Sequence, residues 1–203
     1  MIFKSRIQVH QIVLRLTLAL CLGAGLAAPV IAATSSHAPT FSTAQSAVTH
    51  APSGFLFPLQ IGNFQRVGTR FQTYNTEGTD VSIGYNSTQL PMVITVYVYP
   101  VNGQLLANEF ISKQNEIRQH YSDAHLDSSG NVLVTPEQLK ALSARYHFHA
   151  NFAGKYQLVS SQLVVGQSGD YFVEYRITYP ADWQTYADMD AIYFTSAFDW
   201  PKP

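Results

Sequence analysis

The chain has 203 residues, a formal net charge of -1, only 12% charged side chains and 13% aromatics, with 12 Tyr and 12 Phe. It holds no run of Lys or Arg that could track a phosphate backbone, which excludes nucleic acid as a partner. Its single cysteine, Cys21, lies in the leader described next, so the remaining chain has no disulfide, thiol nucleophile or Cys-type zinc site.

The first 33 residues have three parts. Lys4, Arg6 and Arg15 precede the apolar stretch "LTLALCLGAGLAA", which is followed by "PVIAAT". This is the pattern of a secretory signal with small residues for cleavage, and it predicts a mature chain beginning at Ala33 or Thr34. The apolar run is shorter than the roughly 20 residues needed to span a bilayer, and no later segment reaches that length, so no stable span is expected after cleavage. Leu20 stands where a lipoprotein signal needs a small residue, and Cys21 lies within the apolar run, which argues against a lipid anchor. The expected location is the periplasm or the medium.

Residues 34–54, "TSSHAPTFSTAQSAVTHAPSG", carry Ser, Thr, Ala and Pro without charge or apolar period. Such a stretch buries too little to offset its ordering entropy. It is expected to be a flexible tether with His37 and His50 in solvent, ahead of one globular domain over 55–203.

From Phe55 the pattern is that of strands. Residues 63–75 read as a first strand with Gly68 as a bulge, and 79–87 alternates Val81, Ile83 and Tyr85 against polar partners. "MVITVYVYP" (92–100) is apolar on both sides, as in a central strand covered on two faces. Leu106, Phe110, Ile117 and Tyr121 then fall at helical spacing over 104–121. "SSGNV" reads as a turn, and "TPEQLKALSARY" as a short helix with Thr135 as cap and Pro136 at its first position. Strands at 145–152, 156–166 and 170–180 follow. A last helix is expected, capped by Asp182, with Trp183, Ala187, Ala191, Phe194 and Phe198 in one stripe. The sum is α+β: a mostly antiparallel sheet of about six strands with helices packed on it.

This element order resembles the PsbP-like α/β/α sandwiches, a superfamily with many small exported bacterial proteins of no known activity. The resemblance covers about residues 58–200 and is strongest over "FVEYRITYP" and the helix after it. It implies the sandwich fold and carries no functional motif or photosystem role.

The residues offer three kinds of chemistry. In "RYHFHANF", Tyr146, Phe148 and Phe152 alternate with Arg145, His147 and His149, so the two histidines project together from the wetter face. With His120 or His125 from "QHYSDAHLD", they could ligate zinc or copper; the plainer reading is polar residues on a half-exposed strand. Second, Glu174 and Arg176 share a strand face, either as an ion pair or as an anchor for an anionic or peptide partner. Tyr97, Tyr99 and Tyr175, with Tyr171 and Tyr179, could line a ligand groove beside them. Third, there is no Gly-x-Ser-x-Gly elbow, P-loop or dinucleotide turn, and Asp188 and Asp190 read as a solvated helix face. The expectation is a non-enzymatic exported module that binds an unidentified protein or small ligand. The alternatives are a histidine-based metal-binding protein and a hydrolase with an unrecognised site.

Overall fold

The fold is described from a computed structural model of the full chain, for residues 41–44, 47–68 and 71–201. The predicted leader, His37 and residues 34–40 and 45–46 of the predicted tether lie outside the described residues; the rest of the tether is not a free linker, since Phe41–Ala44 and Ala47–His50 are strands and Ala47–His50 pairs with Phe55–Pro58.

Antiparallel pairing organises the described residues. Strands β1 (Phe41–Ala44), β2 (Ala47–His50) and β3 (Phe55–Pro58) form a three-stranded sheet. The principal sheet contains β4 (Gln60–Ile61), β5 (Phe64–Arg66), β6 (Gln72–Thr73), β7 (Val81–Ser87), β8 (Val93–Pro100), β9 (His125–Val134), β10 (Leu139–Phe152), β11 (Lys155–Ser168) and β12 (Tyr171–Pro180). Its order is β4-β5-β7-β8-β12-β11-β10-β9, with β6 paired to β7. Helix α1 (Leu106–His120) leads from β8 to β9, and α2 (Gln184–Ala197) follows β12.

Alternation along β12 shows how two helices cover one sheet. Val173, Tyr175, Ile177 and Tyr179 join the core that includes Ala187, Ala191 and Phe194 of α2. A second core contains Phe110 and Ile117 of α1 with Tyr146, Phe148, Val159 and Leu163. One helix therefore packs on each face, giving the α/β/α sandwich. Phe194 is central to its layer, with ring centroids 5.1 Å from both Phe64 and Tyr85 and 5.9 Å from Phe198. Each such ring contributes roughly 1.5–3 kcal/mol by leaving water. Trp200 crowds Gly166, where any Cβ would collide with the indole, and donates from Nε1 to the Tyr175 hydroxyl at 2.6 Å.

The class is as expected, but the sheet has more strands than the sequence suggests, and several local expectations are corrected. "SSGNV" is not a turn but part of β9, and "TPEQLKALSARY" is not a helix: residues 135–138 form the turn of a long β9–β10 hairpin. Thr135 and Gln138 take positive φ there (66° and 56°), and the pairing available to 139–146 outweighs their helix-forming composition. The strand expected over 63–75 is divided into β5 and β6. Asp182 does not cap α2; a 3₁₀ turn, Ala181–Trp183, precedes it, and Trp183 is 41% exposed rather than in the buried stripe. His50 is not in solvent. It is buried, with Nε2 2.8 Å from the Gly78 carbonyl and Nδ1 against the Ser53 hydroxyl, and burial pushes its pKa down from the ordinary 6.5.

Candidate functional site

The face of β10 that points away from α1 carries Arg145, His147 and His149 in alternation, and each meets a carboxylate. Arg145 donates two bonds of 2.8 Å to Asp188 of α2. His147 Nδ1 is 2.6 Å from Asp127 Oδ1, and His149 Nδ1 is 3.0 Å from Asp123 Oδ2. Exposure rises along the row, from side chains 19% and 29% accessible in the arginine pair to 51% and 47% in the His149 pair.

The middle of this row draws in a third group because of an irregularity in the β9–β10 ladder. His125 pairs with His147 and Leu126 with Tyr146, but Arg145 pairs with Ser128, so Asp127 is the extra residue of a bulge. A bulge re-aims the side chain it carries. Here it turns the Asp127 carboxylate onto the face of the two imidazoles, 3.4 Å from His125 Nδ1 as well as 2.6 Å from His147 Nδ1. The histidine rings stack with centroids 4.8 Å apart. One ligand atom from each of His125, Asp127 and His147 lies within 4.8 Å of the others.

The other metal candidates fall outside this group. His149 stacks on Tyr156 (5.8 Å) and receives Asp123, whose carboxyl is held below its usual range chiefly by the backbone N–H of His149. His120, at the end of α1, packs edge-on against Tyr121 at 4.5 Å.

The structure divides the partner-site candidates between the two faces of the sheet. Glu174, Arg176, Tyr97 and Tyr99 share the α1 face, because Glu174 is opposite Tyr97 and Arg176 opposite Thr95. Glu174 is 4% exposed, with Lys113 Nζ of α1 at 3.9 Å, Arg176 Nη1 at 3.7 Å and the Tyr99 hydroxyl donating at 3.3 Å. Burial pushes its pKa up, against the pull of Lys113 and Arg176, and burial raises Tyr97 and Tyr99 as well. Tyr175 is buried on the opposite face under Trp200, and Tyr179 lies on that face too. Tyr171 packs against the same core as Tyr175 and Tyr179, so the five tyrosines do not line one groove.

Asp188 is not the solvated helix residue the sequence suggested. Besides Arg145 it accepts from the Tyr179 hydroxyl at 2.6 Å, and burial followed by that bond pushes the phenol up to about 12. The Arg145–Asp188–Tyr179 cluster fastens α2 to the sheet. Sequence reading missed it because the partners are 43 and 9 residues apart. Their only signal was the arginine in phase with the two histidines.

No protein-family model matches the chain, and no curated protein does. Among solved structures, it is similar to cyanobacterial PsbP (CyanoP) from Synechocystis sp. PCC 6803, solved in solution. The identity is 10% and the TM-score 0.45, over 83% of this chain and 98% of that one. That structure belongs to the group the element order resembles, and at this identity and TM-score the likeness carries no function across.

Proposed function

We propose that this protein is an exported, non-enzymatic module that holds a divalent transition metal, zinc or copper(II), at the open end of the β9–β10 ladder. The observation that carries the reading is the bulge-driven convergence of His125, Asp127 and His147. Two imidazoles and a carboxylate are a donor set that both ions accept. Ligand atoms around a tetrahedral zinc lie roughly 3.3 Å apart, so three atoms within 4.8 Å close by small rotations of exposed side chains. The metal would take the place of the proton that His147 shares with Asp127. Three protein ligands leave a coordination position for solvent or a partner's side chain, as suits a carrier or an accessory subunit. Export rests on the leader pattern, and the non-enzymatic reading on the lack of any catalytic motif in the sequence.

The test is native mass spectrometry of the protein purified from the exported fraction without chelator, followed by zinc and copper(II) titration. One metal per chain is expected, lost in the His125→Ala/His147→Ala double variant and kept in His120→Ala. The bare chain mass with no uptake on titration, or uptake indifferent to the double variant, removes the reading.

A further inference from the structure

Helix α2 is apolar on two sides. Ala187, Ala191 and Phe194 face the core, yet Tyr186 (65%), Met189 (69%), Ile192 (66%) and Tyr193 (56%) are exposed on the far side. Such a helix is ordinarily buried all round, and a contiguous patch of large side chains marks an interaction surface. Tyr186, Met189 and Tyr193 recur at three and four residues, the spacing of a seam that receives another helix. The Tyr193 ring lies on Gly62, at φ 53°, where any Cβ would strike it. The anchor is thus held in place before a partner arrives, which lowers the cost of ordering it.

Charge identifies the partner. Residues 181–200 contain Asp182, Asp188, Asp190 and Asp199 and no Lys, Arg or His. Asp188 is engaged by Arg145. Asp182 and Asp199 are exposed and Asp190 half-exposed, so the free carboxylates border an apolar stripe. A second copy of α2 would bring carboxylate against carboxylate, and an anionic lipid surface would be repelled for the same reason. We infer that the outer face of α2 docks an amphipathic helix of another protein, one that carries Lys and Arg beside its own apolar stripe. This is independent of the metal reading, which concerns another part of the molecule.

Two synthetic helical peptides with the same leucine stripe, one flanked by Lys and the other by Glu, test it by fluorescence anisotropy against the exported protein. The Lys peptide is expected to bind, to weaken with added salt, and to lose about tenfold or more in affinity against Met189→Asp/Ile192→Asp. The Glu peptide is expected not to bind. Because both substituted residues are exposed, circular-dichroism melting should show the double variant folded. A charge-reversed chain, Asp182→Lys/Asp190→Lys, leaves the apolar face intact and should prefer the Glu peptide. Equal binding of both peptides, no binding of the Lys peptide, or no change of preference on charge reversal overturns the inference. So does a concentration-dependent dimer abolished by Met189→Asp in sedimentation velocity, or capture of the chain by anionic vesicles through the same face.

Discussion

Arg145 and His147 are two residues apart on one face of one strand, and each meets an aspartate, yet the pairs differ in kind. Arg145–Asp188 lies under α2, is bidentate, and is reinforced by the Tyr179 hydroxyl. His147–Asp127 lies beyond the helix with side chains 40% and 32% accessible, and shares its carboxylate with His125. Where a helix covers the row, opposite charges form a fastening whose strength depends on exclusion of water. Where the cover ends, the same pattern leaves lone pairs within reach of an ion from solution. Coverage, more than residue type, decides which part of the row holds the fold and which stays open to solvent.

The comparison breaks most completely if the cover is removed. Phe194→Ala should cost about 3–5 kcal/mol in urea denaturation, because its ring is the hub of the α2 layer. Next comes the fastening itself. Asp188→Ala should cost about 2–3 kcal/mol by the same measurement, less than a fully enclosed pair because part of it is wetted, and it leaves the Arg145 guanidinium without its carboxylate. Metal uptake should survive Asp188→Ala if the open end is independent of the covered one.

A smaller effect concerns His50. Its folded pKa is depressed by burial, so its contribution is complete above the ordinary value of 6.5 and is lost as pH falls through the lower folded value. The stability of the parent should therefore fall as pH is lowered from about 7.5 to about 5.5. His50→Gln should flatten that slope. Smallest of all, His125→Ala should change stability by less than about 0.5 kcal/mol while removing metal uptake. A large loss of stability there would place His125 with the fastening.

Periodicity made much of this architecture legible. Leu106, Phe110 and Ile117 marked α1; the alternation of Val173, Tyr175, Ile177 and Tyr179 marked β12 and the face Glu174 would occupy. It failed at 128–146, where Gly130 suggested a turn and Pro136 with Glu137, Gln138 and Leu139 suggested a helix start. Local propensity is weak beside the pairing of a ten-residue strand with its hairpin partner. That one misreading also hid the site. His125 meets His147 only because β9 exists, and Asp127 reaches both only because the ladder slips by one residue. His147 and His149 could be seen to project together, but the three-residue group takes His125 and leaves His149 with Asp123.

The slip at Asp127 has a consequence for how this protein keeps company with its own kind. Among the described residues, strand β9 is the last in the principal sheet and no strand pairs with its outer edge, so its amide and carbonyl groups there could template a further strand from a neighbouring molecule. An extra residue bends and over-twists the edge that carries it, and the aspartate adds charge where a flat ribbon would invite stacking. Deleting Asp127 would keep His125 opposite His147 and Ser128 opposite Arg145 while straightening the rim. The shortened chain should associate edge to edge in light scattering at concentrations where the parent stays dispersed.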